Sequence, residues 1–209
     1  RTLLQKEFAY ARYIPFIKNV GYAKLVNAGF EYAKGDVILI INADIIVSPQ
    51  EIERLKKFLA DKRDAAAVGV TGSFRFPTIG AILARRTLWA KTPWGAEALE
   101  AYEMRDYPRE KPARVDWVRG DCWMIKASAL KEIGPIDERF FMYMEDTDWC
   151  RRAWQKGFAI YFFPGIQVGQ QQKGASRKPG WNGLRYRFWH VVSLIKYILK
   201  WNIIIPWNR

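Results

Sequence analysis

No acidic residue follows Asp148 in this chain of 209 residues. The stretch beyond it carries Arg151, Arg152, Lys156, Lys173, Arg177, Lys178, Arg185, Arg187, Lys196, Lys200 and Arg209. That imbalance gives most of the net charge of +13 and suits polyanionic partners: nucleic acid, anionic lipid or a diphosphate. Cysteine is almost absent. Cys122 and Cys150 form no spaced cluster, which excludes a disulfide framework and leaves two reduced, partly buried thiols of a cytosolic protein. The only histidine, His190, falls in the last helical pattern, where it reads as a packing or interfacial residue. No apolar run is long enough to span a bilayer, because Lys196 and Lys200 interrupt the stretch from Val191 to Ile205. Repeats and low-complexity segments are missing. So are a signal peptide and an opening methionine: Arg1 to Lys18 mixes charge with aromatics, and upstream residues are expected.

What is present is a chain able to bury a core. Half its residues are apolar and 26% are charged, which excludes disorder. Leu25 to Lys34 has helical spacing. Val37 to Ile41 is a continuous β-rich run, expected as a buried and parallel strand. Ser48-Pro49, with Glu51 behind it, predicts a capped helix to about Lys62. Ala66 to Phe74 and Val115 to Lys126 read as strands, and Pro77 to Pro112 as a long irregular excursion. Ser128 caps a short helix ending at Gly134-Pro135. Asp146 to Lys156 is helical, Phe158 to Phe163 a strand, and Leu184 to Asn202 a final helix. Helices alternating with strands predict an α/β sandwich.

Two acidic signals stand out. Glu145, Asp146 and Asp148 place three carboxylates within four residues, among Phe141, Met142, Tyr143, Met144 and Trp149. Acids crowded against apolar groups lose solvation and repel one another, so at least one pKa rises toward the range of a general base. The plainer alternative is a helix N-terminus made acidic to match its macrodipole. Upstream, Asn42-Ala43-Asp44 ends the apolar strand. In open α/β sheets ligands bind beyond the carboxyl ends of strands, where Asp44 is able to bridge a hard cation to phosphate oxygens. Alone, the same tripeptide is equally a turn. Gly21, between Asn19 and a helix containing Lys24 and Asn27, would let that helix N-terminus hold an anion, although ordinary caps look alike.

Taken in order, these pieces resemble glycosyltransferase family 2, inverting enzymes of the GT-A fold, in its rhamnosyltransferase-like branch. The resemblance runs over roughly residues 19 to 178. It begins at Asn19-x-Gly21 and Asn27-x-Gly29. Gly35 to Asp44 follows, with Asn42-x-Asp44 at the family's Asp-x-Asp position. Then come Val118 to Ile125, Ile133 to Phe141, Glu145-Asp146-x-Asp148 with Arg152, and Gly174-x-Ser176. It implies a GT-A, Rossmann-like mixed sheet flanked by helices over residues 1–180, then a basic amphipathic helix over 181–209. It also implies transfer of a sugar, such as the deoxyhexose rhamnose, from a nucleotide diphosphate to a glycan or lipid-linked acceptor hydroxyl. Asp146 would be the base with Glu145 beside it, and Asp44 would sit on Mg²⁺ or Mn²⁺ at the diphosphate. Asn19, Gly21, Lys24, Asn27, Asn42, Lys173 and Arg177 would line the donor. Gly120, Asp121, Trp123 and Asp148 would face the acceptor. For Trp123 a buried structural role is as good a reading, and Arg152 reads as an i, i+4 partner of Asp148.

The chain departs from the family pattern twice. Val168 to Gln172 carries glutamines where the family usually has a metal-binding histidine, which weakens the metal expectation; Lys173, Arg177 and Lys178 are positioned to hold diphosphate instead. The family's first strand and helix have no counterpart before Asn19, so a βα unit is expected to be missing. The tail, with Trp189, Trp201, Trp207, Tyr186 and Tyr197 among its bases, reads as a helix in the lipid interface or one packed on the core. This places the protein in the cytoplasm, peripheral to the inner face of the plasma membrane. The competing readings are a non-catalytic basic module on a decayed transferase fold and a nucleotidyltransferase of similar topology. Nucleic-acid-binding motifs are absent, so no nucleic-acid partner is expected.

Overall fold

A computed structural model describes residues 6–104, 110–170 and 181–203. Helix α1 (Tyr22–Phe30) leads into β1 (Val37–Ile41), then β2 (Ile45–Ile46), α2 (Pro49–Asp61), β3 (Ala65–Gly69) and β4 (Ser73–Phe74). Next come α3 (Ile79–Arg86), a 3₁₀ turn (Leu88–Lys91) and α4 (Pro93–Glu103), followed by β5 (Ala113–Val115), β6 (Trp117–Val118) and β7 (Cys122–Lys126). The order closes with α5 (Ala127–Ile133), α6 (Glu145–Gln155), β8 (Ala159–Phe162), β9 (Gly169–Gln170) and α7 (Trp181–Trp201).

Five strands form the central sheet in the order β1-β7-β3-β8-β5. The β3 and β8 pair is parallel; the other three pairings are antiparallel. The expectation of a parallel β1 is therefore corrected: β1 runs antiparallel to β7, with Val37 opposite Lys126 and Ile41 opposite Cys122. Nor is it the buried strand expected: β1 lies at the sheet edge, half-buried, with Ile41 exposed, and its apolar run reflects partial cover on both faces. Val37 and Leu39 pack into one core cluster with Leu55 and Leu59 of α2, while Ile40 packs into the other with Trp123 and Trp149.

Local chemistry explains the helices. Ser48 caps α2, accepting the Glu51 amide at 3.3 Å, with Pro49 in the first turn. The excursion expected to be irregular from Pro77 to Pro112 is instead largely helical. Thr78, Thr87 and Thr92 cap α3, the 3₁₀ turn and α4 in succession through Oγ1, and Pro93 opens α4. Ala66 to Phe74 breaks into two strands, β3 and β4, and Val115 to Lys126 spans three, the end of β5, β6 and β7. Ser128 caps nothing, since α5 starts one residue before it with Lys126 at the cap position and no side-chain cap bond.

Candidate active site

Helix α6 opens with Glu145 and Asp146, directly after two residues in the left-handed region, Tyr143 (φ 71°) and Met144 (φ 68°). The Asp146 carboxylate accepts the Gly120 amide at 3.0 Å through Oδ2 and the Thr147 amide at 2.7 Å through Oδ1. The Gly120 carbonyl in turn accepts the Tyr22 hydroxyl. A side chain at residue 120 would crowd this arrangement, its Cβ standing 3.0 Å from Tyr22 Oη and 3.3 Å from Asp146 Cβ. The next residue completes the link: the Asp121 carbonyl accepts the Asn42 amide at 2.8 Å. Its carboxylate takes the Thr71 hydroxyl and lies 3.6 Å from Arg119 Nε. Gly120-Asp121 thus joins the acid doublet to the strand-end tripeptide, two signals about a hundred residues apart in the chain. A turn from the Asn42 carbonyl to the Ile45 amide carries Asp44. Pairing of Ile45 with Gln170 returns the segment after β8 to the same place.

The electrostatics separate the two acids. Burial raises the Glu145 carboxyl well above its ordinary range, and the charge of Asp146 adds to that. Its Oε2 is buried without a hydrogen-bond partner. Burial also raises Asp146, but the Gly120 and Thr147 amides and the Thr147 hydroxyl pull it back, and the helix macrodipole favours its charge. The two carboxyls do not ionise independently, and the amides and the helix start favour charge on Asp146 over charge on the buried Glu145. Burial and both acids push the Tyr22 phenol above its usual value, keeping it a hydrogen-bond donor.

Several residues expected at the donor or acceptor make contacts within the fold. Asn19 accepts the Gly21 amide at 3.0 Å. Gly21 (φ +87°) is required because a Cβ would lie 2.3 Å from the Phe141 carbonyl. That carbonyl accepts the Tyr22 amide at 2.9 Å, which ties the start of α1 to the loop before α6. Asn27 clasps both the amide and the carbonyl of Ile136, and Lys24 lies 3.8 Å from Glu138. Trp123 is fully buried, edge-on to Trp149 at 5.3 Å, and offers no floor to a sugar. Asp148 is fully buried and held by Arg152, Lys200 and Trp201. Lys173 and Arg177, with Lys178 and the Gly174-x-Ser176 motif, lie outside the described residues. Sequence reading missed Tyr22, Thr71 and Arg119. Their contacts span 98, 50 and 48 residues, and nothing local marks them.

Among the described residues no three His, Cys, Asp or Glu side chains gather as a cation cage. A substrate-bridged cation asks for less. Mg²⁺ is commonly held by one or two carboxylates with phosphate oxygens and water completing its shell. Asp44, half-buried beyond the end of β1, fits that kind of site.

The mixed sheet and its flanking helices form an architecture of the GT-A type, and the comparisons agree. Residues 3–134 match the model of glycosyl transferase family 2, and the chain belongs to that family. The match starts well before Asn19, so residues from 3 onward lie within the family's span. The chain is 27% identical over 188 residues to the N-acetylglucosaminyl-diphospho-decaprenol L-rhamnosyltransferase of Mycobacterium tuberculosis, covering 78% of this chain and 59% of that protein. It is 22% identical over 191 residues to the rhamnosyltransferase WbbL of Escherichia coli, covering 86% of this chain and 67% of the relative. The chain thus spans about three fifths of the Mycobacterium protein's length. Among solved structures, GalNAc-T7 with UDP, GalNAc and Mn²⁺ matches at a TM-score of 0.54 and 17% identity, over 75% of this chain and 31% of that one. The mannosyltransferase PcManGT of Pyrobaculum calidifontis, with GDP-Man and Mn²⁺, matches at 0.50 and 16%, over 84% and 44%. These likenesses establish the fold.

Proposed function

We propose that the chain is the catalytic part of an inverting glycosyltransferase. It moves a sugar, with L-rhamnose the first candidate, from a nucleoside diphosphate to a hydroxyl of a lipid-linked glycan. The single observation carrying this reading is the Gly120-Asp121 bridge. It sets a carboxylate of raised basicity and a strand-end carboxylate at the same end of the sheet. The relatives named as rhamnosyltransferases, one with a decaprenol-linked sugar in its name, support the choice of donor and acceptor.

Asp146 Oδ1 accepts from both the amide and the hydroxyl of Thr147, whereas Oδ2 accepts from the Gly120 amide and keeps a lone pair for the acceptor's proton. As that proton moves to Asp146, the acceptor oxygen forms its bond to the anomeric carbon. On the opposite face the bond to the diphosphate breaks, and the electron pair leaves with the diphosphate; attack from behind inverts the centre. Neutral Glu145 keeps the pocket from holding two adjacent charges. A Mg²⁺ or Mn²⁺ at Asp44, when bound, supplies charge to the leaving diphosphate.

Membrane contact belongs to the same reading. Leu184, Phe188, Val191, Ile195 and Leu199 are exposed along α7, with Arg185 and Arg187 beside them. No described helix is long and apolar enough to cross a membrane, so contact would be peripheral, through this face.

The test is incubation with UDP-, dTDP- and GDP-L-rhamnose and N-acetylglucosaminyl-diphospho-decaprenol, with and without Mn²⁺, following nucleotide release and the anomeric configuration of the product. One donor should give an inverted linkage. Asp44→Ala should weaken that donor's binding about tenfold or more in Mn²⁺ and much less without it. Retention of configuration, or release unaffected by Asp146→Asn, overturns the reading.

A further inference from the structure

The last helix turns its other face onto the segment that delivers Asp146. Ser193 Oγ donates to the Met142 carbonyl at 2.8 Å, and Lys196 Nζ to the Arg139 carbonyl at 2.6 Å. Lys200 Nζ lies 2.8 Å from Asp137 and 2.6 Å from Asp148, and Trp201 Nε1 donates to Asp148 at 2.8 Å. The Trp189 ring stacks on Phe141 at 4.4 Å, His190 lies against Tyr143 at 4.8 Å, and Tyr197 buries Phe140. These positions recur every three or four residues, so one stripe of α7 grips the chain from Asp137 to Asp148.

The grip has a physical reason. Tyr143 and Met144 both hold positive φ, a conformation that is strained at a non-glycine residue and persists only where the surroundings impose it. Asp146 stands two residues beyond Met144, and its hydrogen bond to Gly120 depends on that path. Asp148, two residues further along the first turn of α6, is fixed from α7 by Lys200 and from α6 itself by Arg152.

We propose that Ser193 and Lys200 are positioning residues for the transfer reaction: α7 holds the strained loop and the first turn of α6 so that Asp146 faces the acceptor. The proposal rests on Asp146 being the base. It goes beyond membrane contact, because it concerns the face of α7 turned away from the exposed stripe.

The experiment compares Ser193→Ala, Lys200→Met and Lys200→Arg with wild type on the full chain. Nucleotide release is measured with the L-rhamnose donor that wild type turns over, alongside thermal melting. Tyr197→Phe serves as a control, since it removes only the hydroxyl that accepts from Arg151 and keeps the ring packed against Phe140. Expected is a kcat at least tenfold lower for Ser193→Ala and Lys200→Met with donor KM within twofold. Lys200→Arg should recover most of the loss, and Tyr197→Phe should lower the melting temperature with kcat kept. Wild-type kcat in both variants, or kcat falling in step with melting temperature across all four, overturns the proposal. Asp146→Asn is run in parallel. If it too keeps wild-type release, the enzyme reading has failed; if it alone is inactive, only the positioning role has.

Discussion

At the scale of single residues, the site turns on two neighbouring carboxyls with different fates. Glu145 is buried with an unpartnered oxygen, and Asp146 is hydrogen-bonded by two backbone amides. A carboxyl whose folded pKa lies above its unfolded value binds more protons folded than unfolded over the interval between them. Its burial therefore leaves stability intact at acid pH and lowers it as pH rises through that interval. Glu145→Gln should accordingly melt a few degrees higher than wild type at pH 8, about 2–4 °C for each kcal/mol recovered, and the gap should close by pH 4. An equal gap at both pH values would mean that Glu145 is not the neutral member. The sequence showed the crowding of these acids but not their division of labour, which depends on Gly120 arriving from β7's side of the sheet. Asp148 was legible as an i, i+4 partner of Arg152; its burial by Lys200 and Trp201 was not, because those groups lie about fifty residues downstream.

At the scale of elements, the sequence was most readable where a helix carries its own cap. Ser48-Pro49 marked α2, and Thr92-Pro93 was the same signal at α4, obscured by the Arg, Trp and Pro around it. Trp123 illustrates the opposite case. Alternation along a strand tells solvent from core only when one face is wet, and both faces of β7 are covered, Trp123 on one side and Met124 on the other. Gly21 was legible as a turn glycine, but its purpose, close approach to Phe141, was not. Gly21→Ala combines positive φ with a 2.3 Å approach to backbone and should lower the melting temperature by roughly 5 °C or more. An unchanged melting temperature would show that α1 and the Phe141 loop separate at little cost.

At the scale of the whole molecule, a mixed five-stranded sheet between two apolar layers puts its strand-end residues and the start of α6 on common ground. The α/β class followed from the order of elements. Strand direction did not, because it depends on which non-neighbouring strands pair. In the proposed membrane contact, the charge of +13 and the apolar face of α7 would act together. Binding to vesicles containing anionic phospholipid should fall steeply as salt is raised, and Phe188→Asp with Ile195→Asp should weaken it at least tenfold. Equal binding to neutral vesicles, or no effect of the double substitution, would argue for a protein partner on that face.

The most direct measurement of the central claim is turnover and donor affinity of Asp146→Asn side by side. With Asp146 as base, kcat falls by about 10²–10⁴ while the donor binds as in wild type. Turnover within a few-fold of wild type, with the donor still bound, would contradict it.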